Sequence, residues 1–145
     1  MEILNRKARF DYFIEEEFEA GIALKGTEIK SIRLGRVNIK DSYAIIRNEE
    51  IYLLNTHISI YDNGNIFNHD ENRTRKLLMH KNQIKKLNNK VTLEGYTLIP
   101  LKIYFVKGKA KVLVGLCKGK KNYDKRETIK DRDIKREMEK QYKWS

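Results

Sequence analysis

Three histidines, one cysteine and a short acidic cluster are the groups in this chain best suited to acid–base or metal chemistry, and their spacing argues against both. His57, His69 and His80 are 12 and 11 residues apart, with no H-x-x-x-H or H-E-x-x-H pair, and Cys117 has no cysteine or histidine at ligand spacing. No G-x-S-x-G, no glycine-rich loop ending in Lys-Ser/Thr and no G-x-G-x-x-G occurs. The cluster "NHDE" offers His69, Asp70 and Glu71, which with a divalent ion could serve a nuclease. It stands in a stretch that also contains Asn63, Gly64, Asn65 and Asn72, and a polar turn is the commoner explanation of such a composition. No catalytic residue, metal or cofactor is therefore assigned, and nuclease chemistry stays an alternative. Cys117, within "KVLVGLC", is expected to be a small buried hydrophobe.

Cation chemistry is better supplied. The formal net charge is +11 over 145 residues, an excess that points to a polyanion such as RNA, DNA or an anionic membrane. In "ENRTRKLLMHKNQIKK", Arg73, Arg75, Lys76 and Lys81 surround Leu77, Leu78 and Met79. A strand or helix end that buries its apolar side would project these cations from the other. Lys109, Lys111, Lys118, Lys120 and Lys121 follow from the last strand pair, enough to neutralise several phosphates. Residues 118 to 145 hold 11 Lys and Arg against 6 Asp and Glu, a net of +5 that leaves +6 for the rest. The tail's signs alternate at helical spacings, but only Ile134, Met138 and Tyr142 form a stripe, too narrow to hold a lone helix in water. On pattern alone a solubility tail and a segment that folds on a partner remain equally open. There is no long apolar run and no leader-like N-terminus, so a soluble, cytoplasmic monomer that makes no membrane contact is expected.

These groups need a frame to hold them. "FDYFI" and "FEAGIAL" read as two paired strands joined by the acidic "EEE", with Gly21 marking a bulge or bend. "GTEIKSIRLGR" reads as a short helix capped by Thr27, with Ile29 and Ile32 on one face and Gly35 as its stop. "SYAIIR"–"NEE"–"IYLLN" and "YTLIPLKIYF"–"VKGK"–"AKVLVGLC" read as hairpins. Ile84, Leu87 and Val91 recur at helical spacing in "KNQIKKLNNKV". His57, in "LLNTHISIY", is expected to be structural, hydrogen-bonded at the barrel's edge. About six antiparallel strands with two or three short flanking helices predict a mainly β domain over residues 1–121. A closed or nearly closed barrel of oligonucleotide-binding type is expected, with an open α+β sheet as the alternative and a basic tail over 122–145.

Three motifs make the reading sharper. "NRKARFDYFIEEEFEAGIALKGTEIKSIRLGRVNIKDSYAIIR", "NRTRKLLMH" and "KGKKNYDKRETIKDRDIKRE", in this order, closely resemble the SsrA-binding protein family, also called small protein B, from about Asn5 to about Glu137. The resemblance implies a bacterial, non-enzymatic RNA-binding adaptor with an oligonucleotide-binding barrel. Such proteins bind the tRNA-like part of transfer-messenger RNA and bring it to ribosomes stalled on truncated messages, for trans-translation. The resemblance also implies RNA contacts from Glu19, Leu78, His80 and Lys111 and from the run Lys118, Lys120 and Lys121. The basic pattern adds Arg73, Arg75 and Lys76 to these positions. A carboxylate facing phosphates is repelled, so Glu19 is expected to accept hydrogen bonds from bases, or else to bridge a nearby Lys or Arg. In the tail, the resemblance implies that Tyr123 and Asp124 pass the decoding centre. Lys125, Arg126, Lys130, Arg132, Lys135 and Arg136 would then meet ribosomal RNA along the empty message channel, in a segment disordered when free and helical when bound. Phe10 stands where many members carry His and is compatible with a purely core role. A ribosome-associated or assembly RNA-binder without a tagging role is the remaining alternative.

Overall fold

The computed structural model describes residues 2–61 and 68–120. Lys121, the tail over 122–145 and Asn63, Gly64 and Asn65 lie outside the described residues. The described elements run β1 (Glu2–Leu4), α1 (Arg6–Asp11), β2 (Tyr12–Ile22), α2 (Gly26–Arg33), β3 (Val37–Asn38), β4 (Tyr43–Arg47), β5 (Glu50–Leu54), β6 (His57–Ile58), β7 (Arg75–Leu78), α3 (Lys81–Glu94), β8 (Thr97–Val106) and β9 (Lys109–Gly119). The described residues are mainly β, with one large antiparallel sheet and three helices. The sheet order is β1-β8-β4-β5-β7-β2-β9, and β9 pairs in turn with β8. The contact of β4 with β8 is narrow, the single pair Ala44 and Leu98. β3 and β6 form a separate two-stranded sheet.

Both expected hairpins form. Asn48 and Glu49 have φ of 52° and 64°, and Lys107 and Gly108 have 51° and 81°. Two consecutive positive φ values are what a tight two-residue turn needs to match the strand twist. α2 and α3 also form, burying Ile32 and the pair Ile84 and Leu87 against the main core. Thr27 does not cap α2. The helix begins after Lys25, whose backbone N–H donates to the Glu28 carboxylate at 2.8 Å. Gly35, with φ 75°, ends it as expected.

The N-terminal segment departs from its expected form. "FDYFI" and "FEAGIAL" are not two paired strands: Tyr12–Ile22 is one continuous strand, and Phe10 lies in α1. Asn5 starts α1 by accepting from the Ala8 N–H, while its amide donates to the carbonyls of Ile39 and Pro100. The acidic run lies along β2 because a bulge at Glu15 reverses which face its residues meet. Tyr12 and Ile14 pack with Ala8, Ile99, Leu101 and Cys117 on one side, while Phe18, Ala20 and Ile22 join the main core on the other. The bulge is therefore at Glu15 and not at Gly21, where the register with β9 is continuous. Phe10 is 82% exposed, so it is not core. Cys117 is fully buried, and burial pushes its thiol up to about 12, as suits an inert packing group. No helix among the described residues is long and apolar enough to cross a membrane.

Candidate nucleic-acid interface

Strand register alone assembles a row of side chains on the outer face of the sheet. Lys111 of β9 stands opposite Tyr104 of β8 on one side and Gly21 of β2 on the other, and Gly21 stands opposite Leu78 of β7. At strand spacings near 4.8 Å the row spans roughly 15 Å. Glu19 lies two residues from Gly21 on the same face, since side chains alternate along a strand. Three positions implied by resemblance, Glu19, Leu78 and Lys111, are thus brought together although 59 residues separate the first from the second.

The chemistry of the row is mixed. Leu78 is 53% exposed, unusual for leucine in a strand that buries Leu77 fully. Lys111 has no ion-pair partner among the described residues, so its ammonium is available to a phosphate. Among the described residues Glu19 does not bridge to a Lys or Arg; its Oε2 accepts the Tyr104 hydroxyl at 2.6 Å. Burial, and then this hydrogen bond, raise the Tyr104 hydroxyl to about 12, so it remains a donor and fixes the carboxylate as an acceptor. Gly21 supplies room. A Cβ there would lie 3.2 Å from the Leu78 Cβ and 3.5 Å from its Cδ1, so glycine lets the Leu78 side chain lie close against β2. Lys102 adds a cation 5.0 Å from the Tyr104 ring centroid while pairing with Glu2 at 3.0 Å. A phosphate anchor, a fixed acceptor and an exposed apolar contact within one row are what recognition of a folded RNA surface uses.

Other expected contacts fall elsewhere. Lys76 shares the outer face but is paired with Glu50 at 3.0 Å. His80 is exposed at the N-cap of α3, two residues beyond Leu78, and makes no capping bond. Lys118 and Lys120 lie toward the other end of β9, seven and nine residues from Lys111, roughly 25 Å away. Lys118 stands 4.6 Å over the Tyr96 ring and Lys120 5.2 Å over the Phe13 ring, so they form a second cationic and aromatic patch.

Arg75 and Arg73 overturn the expectation of a cationic strand face. Arg75 is fully buried, and Arg73 is mostly so. Arg75 Nε donates to Glu28 Oε2 at 2.6 Å. Its Nη1 donates to the carbonyls of Thr56 and Arg73, and its Nη2 to those of Asp70 and Glu71. All five guanidinium N–H groups are then used, leaving none for RNA. Arg73 clamps the same carboxylate with Nε at 3.0 Å and Nη2 at 2.6 Å. Leu77, two residues on, points inward with Arg75, as the period of a strand requires.

The "NHDE" cluster is explained by the same network. His69 is buried, with Nε2 2.8 Å from the Ile58 carbonyl and Nδ1 2.8 Å from the Thr27 hydroxyl. A carbonyl only accepts, so Nε2 carries the proton and Nδ1 receives the Thr27 hydroxyl. Asp70 Oδ1 accepts from the Asn72 N–H, and Glu71 faces His57 at 3.5 Å. His69, Asp70 and Glu71 therefore do not converge, and no metal-binding group of His, Cys, Asp and Glu forms among the described residues. His57 lies in β6, its Nδ1 3.1 Å from Asn72 Oδ1, in the small sheet with β3 and not at the edge of the large one. Two members of the row, Gly21 and Tyr104, escaped sequence reasoning. The alternation Lys102, Ile103, Tyr104 in β8 is the signal that places Tyr104 outward with Lys102.

Comparison with known proteins adds an independent line. Residues 2–144 match the family model described as SmpB protein. The SsrA-binding protein of Shouchella clausii is 60% identical over 139 residues, covering 96% of this chain and 89% of the relative. That of Bacillus subtilis is 59% identical over 139 residues, with the same two coverages. A solved structure described as "tmRNA-SmpB: a journey to the center of the bacterial ribosome" matches at a TM-score of 0.69 and 52% identity, over 82% of this chain and 84% of that one. With the family model spanning nearly the whole chain and identities near 60%, the chain belongs to the SmpB family of SsrA-binding proteins.

Proposed function

We propose that this protein is an RNA-binding adaptor that grips the tRNA-like domain of transfer-messenger RNA and delivers it to stalled ribosomes for tagging of incomplete peptides. The single observation that carries this reading is the row Tyr104, Lys111, Gly21 and Leu78, with Glu19 beside it, in a chain of the SsrA-binding family. Lys111 neutralises a phosphate, Glu19 accepts from base amino or imino groups, and Leu78 packs on an exposed base or ribose face. The cycle of pairings β8-β4-β5-β7-β2-β9-β8 is read as a barrel of oligonucleotide-binding type, whose curved wall presents that row. The protein works in the cytoplasm, as a monomer, and contributes binding and position without a reaction of its own.

The barrel domain ends near Lys121, and residues 122–145 form the tail. Tyr123 and Asp124 approach the decoding centre, and Lys125, Arg126, Lys130, Arg132, Lys135 and Arg136 follow the message channel. The tail orders as a helix there, where phosphates offset its charge and its apolar residues find contacts. This reading separates two steps that one truncation can test. Ending the chain after Lys121 should leave affinity for the tRNA-like RNA within a few-fold, yet abolish tagging on a stalled ribosome in a reconstituted translation system. Scrambling residues 123 to 145 at constant composition should also abolish tagging. Full tagging by the scrambled protein would instead make the tail a solubility device.

A further inference from the structure

We infer that Tyr96 is a positioning residue for RNA binding: its ring, anchored by Glu15, holds the Lys118 ammonium ready for a phosphate without neutralising it. The inference rests on the reading of Lys118 as an RNA contact and names what makes that contact effective.

The chain brings the three residues together from separate elements. Gly95, with φ 75°, stops α3, and the Tyr96 N–H closes the helix end on the Lys90 carbonyl at 3.4 Å. Tyr96 therefore stands at the entrance to β8, where Thr97 pairs with Cys117 of β9, the neighbour of Lys118. Lys118 Nζ lies 4.6 Å from the centroid of the Tyr96 ring. The Tyr96 hydroxyl donates to the Glu15 carboxylate at the bulge of β2, and this bond first, then desolvation, raise the hydroxyl to about 12. It stays protonated and keeps donating. Donation to an anion moves electron density into the ring, whose face is what attracts a cation.

The way Lys118 is held sets it apart from other lysines of the described surface. Lys7, Lys76, Lys90 and Lys102 lie 3.0 to 3.5 Å from Asp41, Glu50, Glu94 and Glu2, so a carboxylate already answers each charge. Lys118 makes no ion pair among the described residues. An aromatic face orients an ammonium yet carries no net charge, and the full cation remains for a phosphate. Lys118 is also half-buried, so its stem has given up rotamer freedom before RNA arrives and loses less on binding. Lys90 flanks the same ring at 5.9 Å, but its charge is spent on Glu94.

A double-mutant cycle on the full-length protein tests the inference in two arms, binding to the tRNA-like RNA and to ribosomes carrying a truncated message, since either can supply the phosphate. In one arm Lys118→Ala should weaken binding roughly fivefold near 0.15 M salt, the worth of one phosphate contact. Tyr96→Leu should lose most of the same factor in that arm although it removes no charge, and the double variant should bind no worse than Lys118→Ala alone. Tyr96→Phe keeps the ring without the bond to Glu15 and should lose about twofold. With a thermal midpoint near that of the parent protein, it carries the test if Tyr96→Leu proves unstable. The ε-methylene protons of Lys118 should be shifted upfield by the ring in the parent protein and return toward their free values in Tyr96→Leu. Additive losses in the double variant, or parent-like binding by both Tyr96 variants beside a weakened Lys118→Ala, would overturn the assignment. Unaltered binding by Lys118→Ala in both arms would overturn the reading of Lys118 together with it.

Discussion

Two carboxylates of this chain, Glu28 and Glu19, are each held by side-chain donors, guanidinium groups in one case and a phenol hydroxyl in the other, and they end in opposite roles. Glu28 is fully buried and saturated: the Lys25 N–H, two donors of Arg73 and one of Arg75 all reach it. Glu19 is exposed and, among the described residues, holds one hydrogen bond, from Tyr104, which leaves it further acceptor capacity for a ligand. The difference teaches that a basic motif cannot be read as an RNA surface by charge alone. "RTRK" contributes two arginines to the interior and one lysine to the surface, because strand alternation points Arg75 inward with Leu77. The buried set ties α2 to β7 and holds the carbonyls of the 70–73 segment in place, and so positions the strand that ends in Leu78.

The comparison breaks most visibly at Arg75. Arg75→Ala leaves Glu28 with Arg73 as its remaining guanidinium partner and takes the donors from the carbonyls of Thr56, Asp70, Glu71 and Arg73, and should destabilise the fold by about 3–5 kcal/mol, the usual result of breaking a buried ion-pair network. Chemical denaturation checks this, and a loss below about 1 kcal/mol would show that the network is not the clamp described. The same pair predicts a dependence on acid. Burial alone would raise the Glu28 carboxyl, but the hydrogen bonds from Arg73, the Lys25 backbone and Arg75 outweigh it and hold the group below its ordinary value of 4.5. A group with a depressed folded-state pKa contributes its full stability above the unfolded value, and that contribution is lost as pH falls through the folded one. Stability should therefore decline below about pH 4.5. Glu28→Gln should be less stable near neutrality and should show a shallower acid decline, measured by thermal midpoint against pH.

At the exposed carboxylate the effects move from stability to binding. Lys111→Ala should leave unfolding within about 0.5 kcal/mol, weaken RNA binding, and reduce the salt slope by about one contact. Glu19→Ala should weaken binding with the salt slope nearly unchanged, since it removes an acceptor and no cation. Tyr104→Phe should have the smallest effect, a few-fold loss from releasing the Glu19 carboxylate, again at constant slope. Identical slopes across all three variants would mean that Glu19 is not a reader of bases.

Much of this was legible in the sequence where the signal was local. The turns at Asn48–Glu49 and Lys107–Gly108 and the stripe of Ile84 and Leu87 all follow from short-range rules. Failures came where the deciding partner is distant. The inward fate of Arg75 depends on Glu28, 47 residues away, and α1 depends on Asn5 reaching Ile39 and Pro100. The bulge at Glu15 is hidden by a run of three glutamates, in which no single residue marks where the face changes. Of the row itself, Glu19, Leu78 and Lys111 were reached through family resemblance, whereas Gly21 and Tyr104 became visible only once the register placed them beside Lys111.

The central claim is that the row around Lys111 selects one structured RNA. Sequencing the RNA that copurifies with the full-length protein, alongside the Lys111→Ala and Glu19→Ala proteins, tests it most directly. A single species with a tRNA-like domain should dominate with the parent protein and be depleted with either variant. Recovery of bulk ribosomal RNA in the same proportions from all three proteins would contradict the account.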